Sequence, residues 1–219
     1  MSAREKLFAR LRRDLGPPRP EARIAAEAAA LAGEAPASRP ALPCADLVEA
    51  FAARLVSPKV SGASVARIAR LADVPKAVGA YCVAQGLAPA IALQPEAALA
   101  ALDWSGFTLH AQAGGDEAIA VSKARCAIAE TGTFVFHSGA DTPVLLAFLP
   151  MHHVCVVEAD RILGHLEDYA HAAAGEPAPR NVNLITGASG TSDIEGRLVR
   201  GAHGPGYLHA IIVDPRAAA

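Results

Sequence analysis

The sequence predicts an α/β fold with a mostly parallel sheet, an antiparallel hairpin and a helical arm at its N-terminal end. Three observations support this prediction. Short apolar runs alternate with amphipathic stretches from Asp46 onward, which is typical of a parallel sheet covered by helices on both faces. Two β-rich runs flank residues 130–133, as in a hairpin or a sharply bent strand pair. Proline-rich segments separate the first 45 residues from the remainder.

The N-terminal arm begins with the charged stretch MSAREKLFARLRRDLG, in which Leu7, Leu11 and Leu15 share a helical face with Phe8 beside them. The segments GPPRPEAR and GEAPASRPALP interrupt helical patterns with several prolines. We therefore assign residues 1–45 to a helical arm and linker, and residues 46–216 to the α/β domain. The sequence does not indicate where the arm packs.

The elements of the α/β domain follow in order along the chain. We predict helices over residues 46–55, over RIARLADVPKAVGAYCVAQGL with a break at Pro75, over residues 96–102, over GDEAIAVSKA, and over ADRILGHLEDYAHAAAG with its end at Gly175. We predict strands in KVSGASVA, APAIALQ, FTLHA, both arms of RCAIAETGTFVFHS, HHVCVVE, NVNLIT and YLHAIIVD.

The composition favours a protein that binds neither nucleic acid nor an anionic membrane. The formal net charge is −2 and the isoelectric point is near 6.4, so no general positive field is present. The N-terminal stretch lacks the apolar region of a signal peptide, and PVLLAFLP is too short to span a bilayer. We expect a cytoplasmic protein without a transmembrane segment.

Neither the cysteines nor the histidines show the spacing of a metal site. Cys44, Cys82, Cys126 and Cys155 lie far apart without a C-x-x-C pair, and three of them lie in apolar runs typical of buried thiols. The neighbours His152 and His153 should face opposite sides of a strand. We expect no metal or iron–sulfur cluster bound by this chain.

The stretch ITGASGTSDIEGRLVRGAHGP, residues 185–205, resembles several functional loops without matching them. It has no lysine for a phosphate-binding loop, and its glycine spacing fits neither G-x-G-x-x-G nor the G-x-S-x-G of a hydrolase nucleophile. Ser192 and Glu195 form a capping-box pattern, which predicts a short helix that ends near Gly201. The alternative is a ligand-binding loop at the end of a strand, where two acids would oppose a bare phosphate.

A second stretch, AETGT, has two interpretations. Gly132 can supply the positive φ angle of a hairpin turn. Alternatively, Glu130 points into a cleft from an otherwise apolar run and acts as acid, base or nucleophile. His203, held between glycines in GAHGP, is either a ligand contact or a loop hydrogen-bonding group.

Three blocks of sequence together resemble the lactate utilization (LUD) family, in particular its LutC, YkgG-like members. They are IAETGTFVF at residues 128–136, ITGASGTSDIEGRLVRGAHGP at 185–205 and LHAIIVD at 208–214. The resemblance implies a three-layer α/β/α fold like that of the NagB/RpiA/CoA-transferase group. It also implies a role in a multi-subunit system that oxidises L-lactate to pyruvate, in which cysteine-rich partner proteins carry the iron–sulfur clusters.

Within that system the resemblance implies a non-catalytic or accessory subunit that holds no cofactor of its own. Two alternatives stay open: a stand-alone CoA-transferase-like enzyme with Glu130 as nucleophile, and a regulatory protein that binds a small carboxylate. For the latter, Arg125 and Arg197 are the near basic candidates.

The candidate site residues match the motifs of the family, and we expect them to converge on one crevice. The candidate catalytic residue is Glu130. The candidate ligand-binding residues are Thr131, Gly132, Thr133, Thr186, Gly187, Ser189, Thr191, Asp193, Glu195, His203 and Gly204.

Overall fold

The computed structural model describes residues 2–34, 39–57, 63–110, 114, 117–192 and 198–218. Its helices are α1 Ala3–Leu15, α2 Glu21–Glu34, α3 Leu47–Leu55, α4 Val74–Gln85, α5 Ala97–Ala100 and α6 Leu166–Ala172. Its strands are β1 Ser64–Ile68, β2 Ala90–Leu93, β3 Thr108–His110, β4 Ile119–Lys123, β5 Cys126–Ile128, β6 Thr133–His137, β7 His152–Glu158, β8 Ile162–Leu163, β9 Val182–Thr186, β10 Gly190–Ser192, β11 Leu198–Arg200 and β12 Tyr207–Val213. None of the described helices is long and apolar enough to cross a membrane.

The chain divides into two compact units, Met1–Pro40 and Ala41–Ala219. The first contains α1 and α2. Ser2 and Glu5 form a capping box at the start of α1, and no residue of α1 is buried. The apolar face predicted for this helix is therefore not covered by the described residues of its own unit. Leu7 is 57% exposed and Leu15 is 80% exposed.

The second unit is built around a parallel sheet with strand order β1-β12-β7-β4-β2-β3. The central strands β4, β7 and β12 are buried along nearly their whole length. A second sheet, β8-β5-β6-β9, contains the antiparallel hairpin β5-β6. The predicted mixed α/β fold with a mostly parallel sheet and one hairpin is confirmed, and the hairpin belongs to the smaller sheet.

The parallel sheet is covered on both faces. Apolar side chains of α4 and α5 pack on one face, where Val78 and Leu99 are fully buried. On the other face lie α3 and the second sheet, and Phe51 meets Phe134 edge-on at 5.2 Å between ring centroids. The layers are thus helices, the parallel sheet, and a third layer that combines a helix with the smaller sheet.

The helix predictions over GDEAIAVSKA and over ADRILGHLEDYAHAAAG are wrong in whole or in part. The stretch GDEAIAVSKA contains β4, a strand between β2 and β7. All of Ile119–Val121 is buried, so no exposed face reveals the strand period. The long helix predicted up to Gly175 is instead a 3-10 turn, the short strand β8, and α6, which ends at Ala172.

Pro75 begins a helix rather than breaking one. It occupies the first turn of α4, where a missing N–H costs nothing because that group has no helical acceptor. The preceding residues form β1 and a 3-10 turn at Leu71–Asp73. Of the predicted strand KVSGASVA, residues 59–62 lie outside the described residues, and the rest contributes to β1.

Candidate functional site

A chain of threonine hydroxyls lies where the hairpin meets β9. Thr133 Oγ1 lies 2.6 Å from Thr131 Oγ1 and 2.6 Å from Thr186 Oγ1, so three predicted site residues are brought together. Gly132 between them has a φ angle of 70°, as the hairpin interpretation requires. A Cβ on Gly132 would lie 3.1 Å from the backbone nitrogen of Leu55, so the turn packs closely on the end of α3.

Glu130 contacts the start of α6. Its Oε1 accepts a hydrogen bond of 2.8 Å from the amide of Leu166, and its own amide donates to the carbonyl of Gly164. A carboxylate at this position satisfies an amide that the first helical turn leaves without a partner. The described contacts of Glu130 are therefore those of a helix-capping residue, and its role as nucleophile stays a prediction.

The loop after β9 closes on the segment before β12. Gly187 has a φ angle of 79°, and the Ser189 amide donates to the carbonyl of Pro205 at 2.7 Å. Ser189 Oγ accepts from the amide of His203 at 3.4 Å, and Gly204 packs against the Ser189 side chain. This places Ser189, His203 and Gly204 together, with the His203 side chain exposed.

The capping-box pattern predicts a short helix, but the described residues at both ends of that stretch lie in strands. Ser192 lies in β10 and Leu198 in β11, and these strands pair antiparallel with Thr191 opposite Val199. Asp193 and Glu195 lie outside the described residues. Thr191, Leu198 and Val199 are β-branched or apolar residues that suit a paired strand, and this pairing outweighs the local capping signal.

A separate cleft of about 510 Å³ opens at the carboxyl ends of the parallel strands, which is where open α/β sheets bind ligands. One wall comes from the ends of β2, β4 and β7, and the other from the smaller sheet and α6. The ten described candidate residues from the sequence are not among its lining residues. Its polar lining consists of Gln94, Glu96, Lys123, Arg125, Cys126, His137, Ser138, Asp141, Thr142, Glu158, Asp160, Arg161 and Tyr169.

Lys123 occupies the strand-end wall. Its ammonium lies 3.5 Å from Glu158 and 3.9 Å from Glu96, and its amide donates to Gln94 Oε1 at 2.7 Å. Gln94 Nε2 in turn donates to Thr142 Oγ1 at 3.0 Å. The positive charge of Lys123 is therefore balanced by two carboxylates, and the wall is held by a connected set of hydrogen bonds.

Two arginines lie on the smaller sheet. Arg125 directly precedes β5 and pairs with Glu176, while Arg161 directly precedes β8. Strand β8 runs parallel to β5 with Ile162 beside Ala127, so Arg161 lies at the level of Cys126. Among the described residues, the exposed Arg161 guanidinium makes no hydrogen bond or ion pair.

A histidine–tyrosine pair lies on the same wall. His137 Nε2 lies 2.7 Å from the hydroxyl oxygen of Tyr169. Burial lowers the pKa of His137, with a smaller contribution from the nearby Arg125, and burial raises the pKa of Tyr169. Both side chains are therefore neutral near pH 7. Burial also raises the pKa of the adjacent Cys126 thiol to about 11, so it is not a thiolate there.

Sequence reasoning missed most of this cleft. Lys123 and Glu158 each end an apolar strand, which is the signal that could have identified them, but the wrong helix prediction hid the end of β4. Arg125 was considered as a possible carboxylate contact. Pairing within the smaller sheet and the packing of α6 bring together His137, Arg161 and Tyr169. Patterns among neighbouring residues of the sequence do not reveal such contacts.

Three of the described cysteines are buried, and the absence of an iron–sulfur cluster from this chain stays a prediction. Cys82, Cys126 and Cys155 lie in three different apolar clusters, and burial raises the pKa of each thiol, whereas a cluster needs converging thiolates. Within the described ranges, no group of three or more His, Cys, Asp or Glu side chains could hold a metal ion.

The histidines predicted to face opposite sides of β7 do so. His152 Nδ1 lies 2.9 Å from the Tyr81 hydroxyl of α4, while His153 packs beside Phe136 of the smaller sheet. Tyr81 also stacks on His209, whose Nδ1 lies 2.8 Å from Ser64 Oγ. These groups lie at the amino ends of β7 and β12, so they are separate from the cleft.

Comparison with known proteins connects this chain with one family. The model of the LUD domain matches residues 74–213. Two proteins named lactate utilization protein C are similar: that of Deinococcus radiodurans is 39% identical over 89 residues, and that of Anoxybacillus flavithermus is 34% identical over 89 residues. These matches cover 40% and 41% of this chain, and only 42% and 40% of the respective relatives.

Two further similarities were found. An uncharacterized protein of Neisseria meningitidis is 35% identical over 99 residues, which cover 43% of this chain and 41% of that protein. A solved structure of a DUF162 family protein from Deinococcus radiodurans aligns with a TM-score of 0.57 at 24% identity. It covers 77% of this chain and 96% of the other. At that identity the structural similarity supports the fold alone.

Proposed function

Because the chain belongs to the LUD domain family, whose model matches residues 74–213, we propose that it is a component of a system that converts L-lactate to pyruvate. The observation that carries this proposal is its similarity to proteins named lactate utilization protein C in several bacteria, at 30–39% identity. The matched segments cover less than half of each chain, so the role of the whole protein belongs to the proposal.

The reaction defines what such a component needs from its partners. Oxidation of L-lactate breaks the C2–H and O–H bonds, forms the ketone of pyruvate, and releases two protons and two electrons. The electrons require an acceptor. The described cysteines of this chain do not converge, which favours an acceptor in another subunit. We propose cysteine-rich partner proteins with iron–sulfur clusters for that role, and an accessory role for this chain in the cytoplasm.

Production of the chain with and without partners tests this division of labour. We expect the purified chain to be colourless and to leave L-lactate unchanged in the presence of an artificial electron acceptor. Co-production with the proposed cysteine-rich partner proteins should yield a coloured complex that reduces the acceptor when L-lactate is added. Turnover of L-lactate by the isolated chain would contradict the accessory role.

A further inference from the structure

The cleft at the carboxyl ends of the parallel strands is a candidate binding site that the motif residues do not include. It has the size of ordinary ligand sites, at about 510 Å³, and its polar groups lie on two facing walls. Lys123 is balanced by Glu96 and Glu158 on the strand-end wall, and Arg125 is paired with Glu176. Among the described cations that line the cleft, Arg161 alone is left without an acidic partner.

We propose that this cleft binds a 2-hydroxy or 2-oxo monocarboxylate, with Arg161 bound to the carboxylate and the His137–Tyr169 pair bound to the C2 oxygen. The inference rests on the proposed function for the identity of the acid, L-lactate or pyruvate. A guanidinium offers two parallel N–H donors that match a carboxylate, and charge-assisted bonds of this kind are the stronger ones in proteins.

The His137–Tyr169 pair can bind both oxidation states of the ligand. With the proton on His137 Nδ1, the Tyr169 hydroxyl donates to Nε2, and its oxygen can accept from the hydroxyl of a 2-hydroxy acid. With the proton on Nε2, His137 donates to the Tyr169 oxygen, and the tyrosine hydroxyl can donate to the ketone of a 2-oxo acid. A change of histidine tautomer therefore adapts the pair to substrate or product.

The acids of the cleft limit the charge of the ligand. Asp141 and Asp160 line it together with the paired Glu96 and Glu158. A second anionic group on the ligand would lie among these carboxylates, so a monocarboxylate should bind better than a dicarboxylate or a phosphate. The volume exceeds that of a three-carbon acid, so longer 2-hydroxy monocarboxylates should also fit.

Calorimetric titration of the full 219-residue chain with L-lactate, pyruvate, propionate and malate tests this proposal. We expect L-lactate and pyruvate to bind more tightly than propionate, which lacks the C2 oxygen, and than malate, which has a second carboxylate. Arg161→Ala should weaken L-lactate binding about tenfold or more, because it removes a charge-assisted hydrogen bond. Arg161→Lys should restore part of the affinity.

A control variant and a second site variant complete the test. Arg70→Ala removes an exposed arginine that pairs only with Asp73 beyond the N-terminus of α4, and it should leave the affinity unchanged. Tyr169→Phe should reduce the preference for L-lactate over propionate severalfold, with little change in propionate binding. Thermal unfolding of each variant establishes that it is folded.

The outcomes separate this proposal from the proposed function. Absence of L-lactate and pyruvate binding by the wild-type chain, or equal affinity for L-lactate in wild type and Arg161→Ala, would overturn the assigned site. If wild type and Arg161→Ala bound L-lactate equally while the complex with partners oxidised it, the lactate role would stand and the site would be wrong. Binding without any lactate oxidation by the complex would contradict the proposed function alone.

Discussion

Gly132 shows how a single residue fixes the local geometry of the hairpin. Its φ angle of 70° belongs to the left-handed region, and its missing Cβ leaves room for the backbone of Leu55. The motif AETGT in the sequence predicts the left-handed φ angle. The sequence does not predict the close contact with Leu55, because that residue belongs to α3, almost eighty positions earlier in the chain.

Substitution of Gly132 by alanine separates strain from close packing. Gly132→Ala should lower the free energy of unfolding by more than about 1–2 kcal/mol, the usual cost of a left-handed alanine, because the new Cβ also presses on Leu55. Gly86→Ala is the matched control, since Gly86 has a φ angle of 66° and no atom of the described residues lies within 4 Å of its Cβ position. Equal losses in urea unfolding of both variants would show that the contact with Leu55 costs nothing.

Two buried histidines make the stability of the protein depend on pH. Burial lowers the pKa of His153 and of His209 to about 4, from an ordinary value of 6.5. Below pH 6.5 the unfolded chain therefore binds protons that the folded chain does not, and stability falls as the pH drops toward 4. Each histidine should cost about 2 kcal/mol of stability between pH 7.5 and pH 5.

Urea unfolding at pH 7.5, 6 and 5 measures this dependence. The range stays above the pH at which carboxylates with lowered pKa, such as Asp46 and Asp214, become protonated. His209→Asn should make the profile less steep, because asparagine does not titrate and its amide lies near the position of Nδ1, which contacts Ser64. A free energy of unfolding that is constant between pH 7.5 and pH 5 would contradict the neutral buried state of these histidines.

At the scale of elements, sequence pattern predicts those whose local signals agree with their packing. The helix 46–55 is confirmed, and the structure adds an Asp46 cap at its start. The hairpin around residue 132 is confirmed because its glycine turn agrees with its packing. Strand β4 is missed because the period of a fully buried strand does not distinguish it from a helix, whereas the equally buried β7 is indicated by its valines. The hairpin β10-β11 is missed because antiparallel pairing outweighs the capping-box pattern.

Asp46 couples the start of α3 to the end of the chain. Its side chain accepts from the amides of Val48 and Glu49 and also binds Arg216 at 2.7 Å. Asp46→Ala should lower the free energy of unfolding, because it removes the helix cap as well as the ion pair. Asp46→Asn keeps the cap and loses only the exposed ion pair, so it should cost less than Asp46→Ala. Equal losses in urea unfolding would show that the ion pair, and not the cap, carries the effect.

At the scale of the whole molecule, the sequence predicts the family and the layered fold but not the cleft. The motif residues form two local groups, Thr131 with Thr133 and Thr186, and Ser189 with His203 and Gly204. The cleft instead combines strand ends of the parallel sheet with His137, Arg161 and Tyr169 on the other wall. That combination depends on how two sheets pack, which the spacing of residues along the chain does not encode.

The most direct test of the lactate role is growth of a strain from which the gene for this chain has been deleted, with L-lactate or pyruvate as the carbon source. We expect loss of growth on L-lactate, normal growth on pyruvate, and recovery on L-lactate when the wild-type gene is returned, because only the step between the two acids requires the protein. Undiminished growth on L-lactate, in a strain with no other route for its oxidation, would contradict the proposed function.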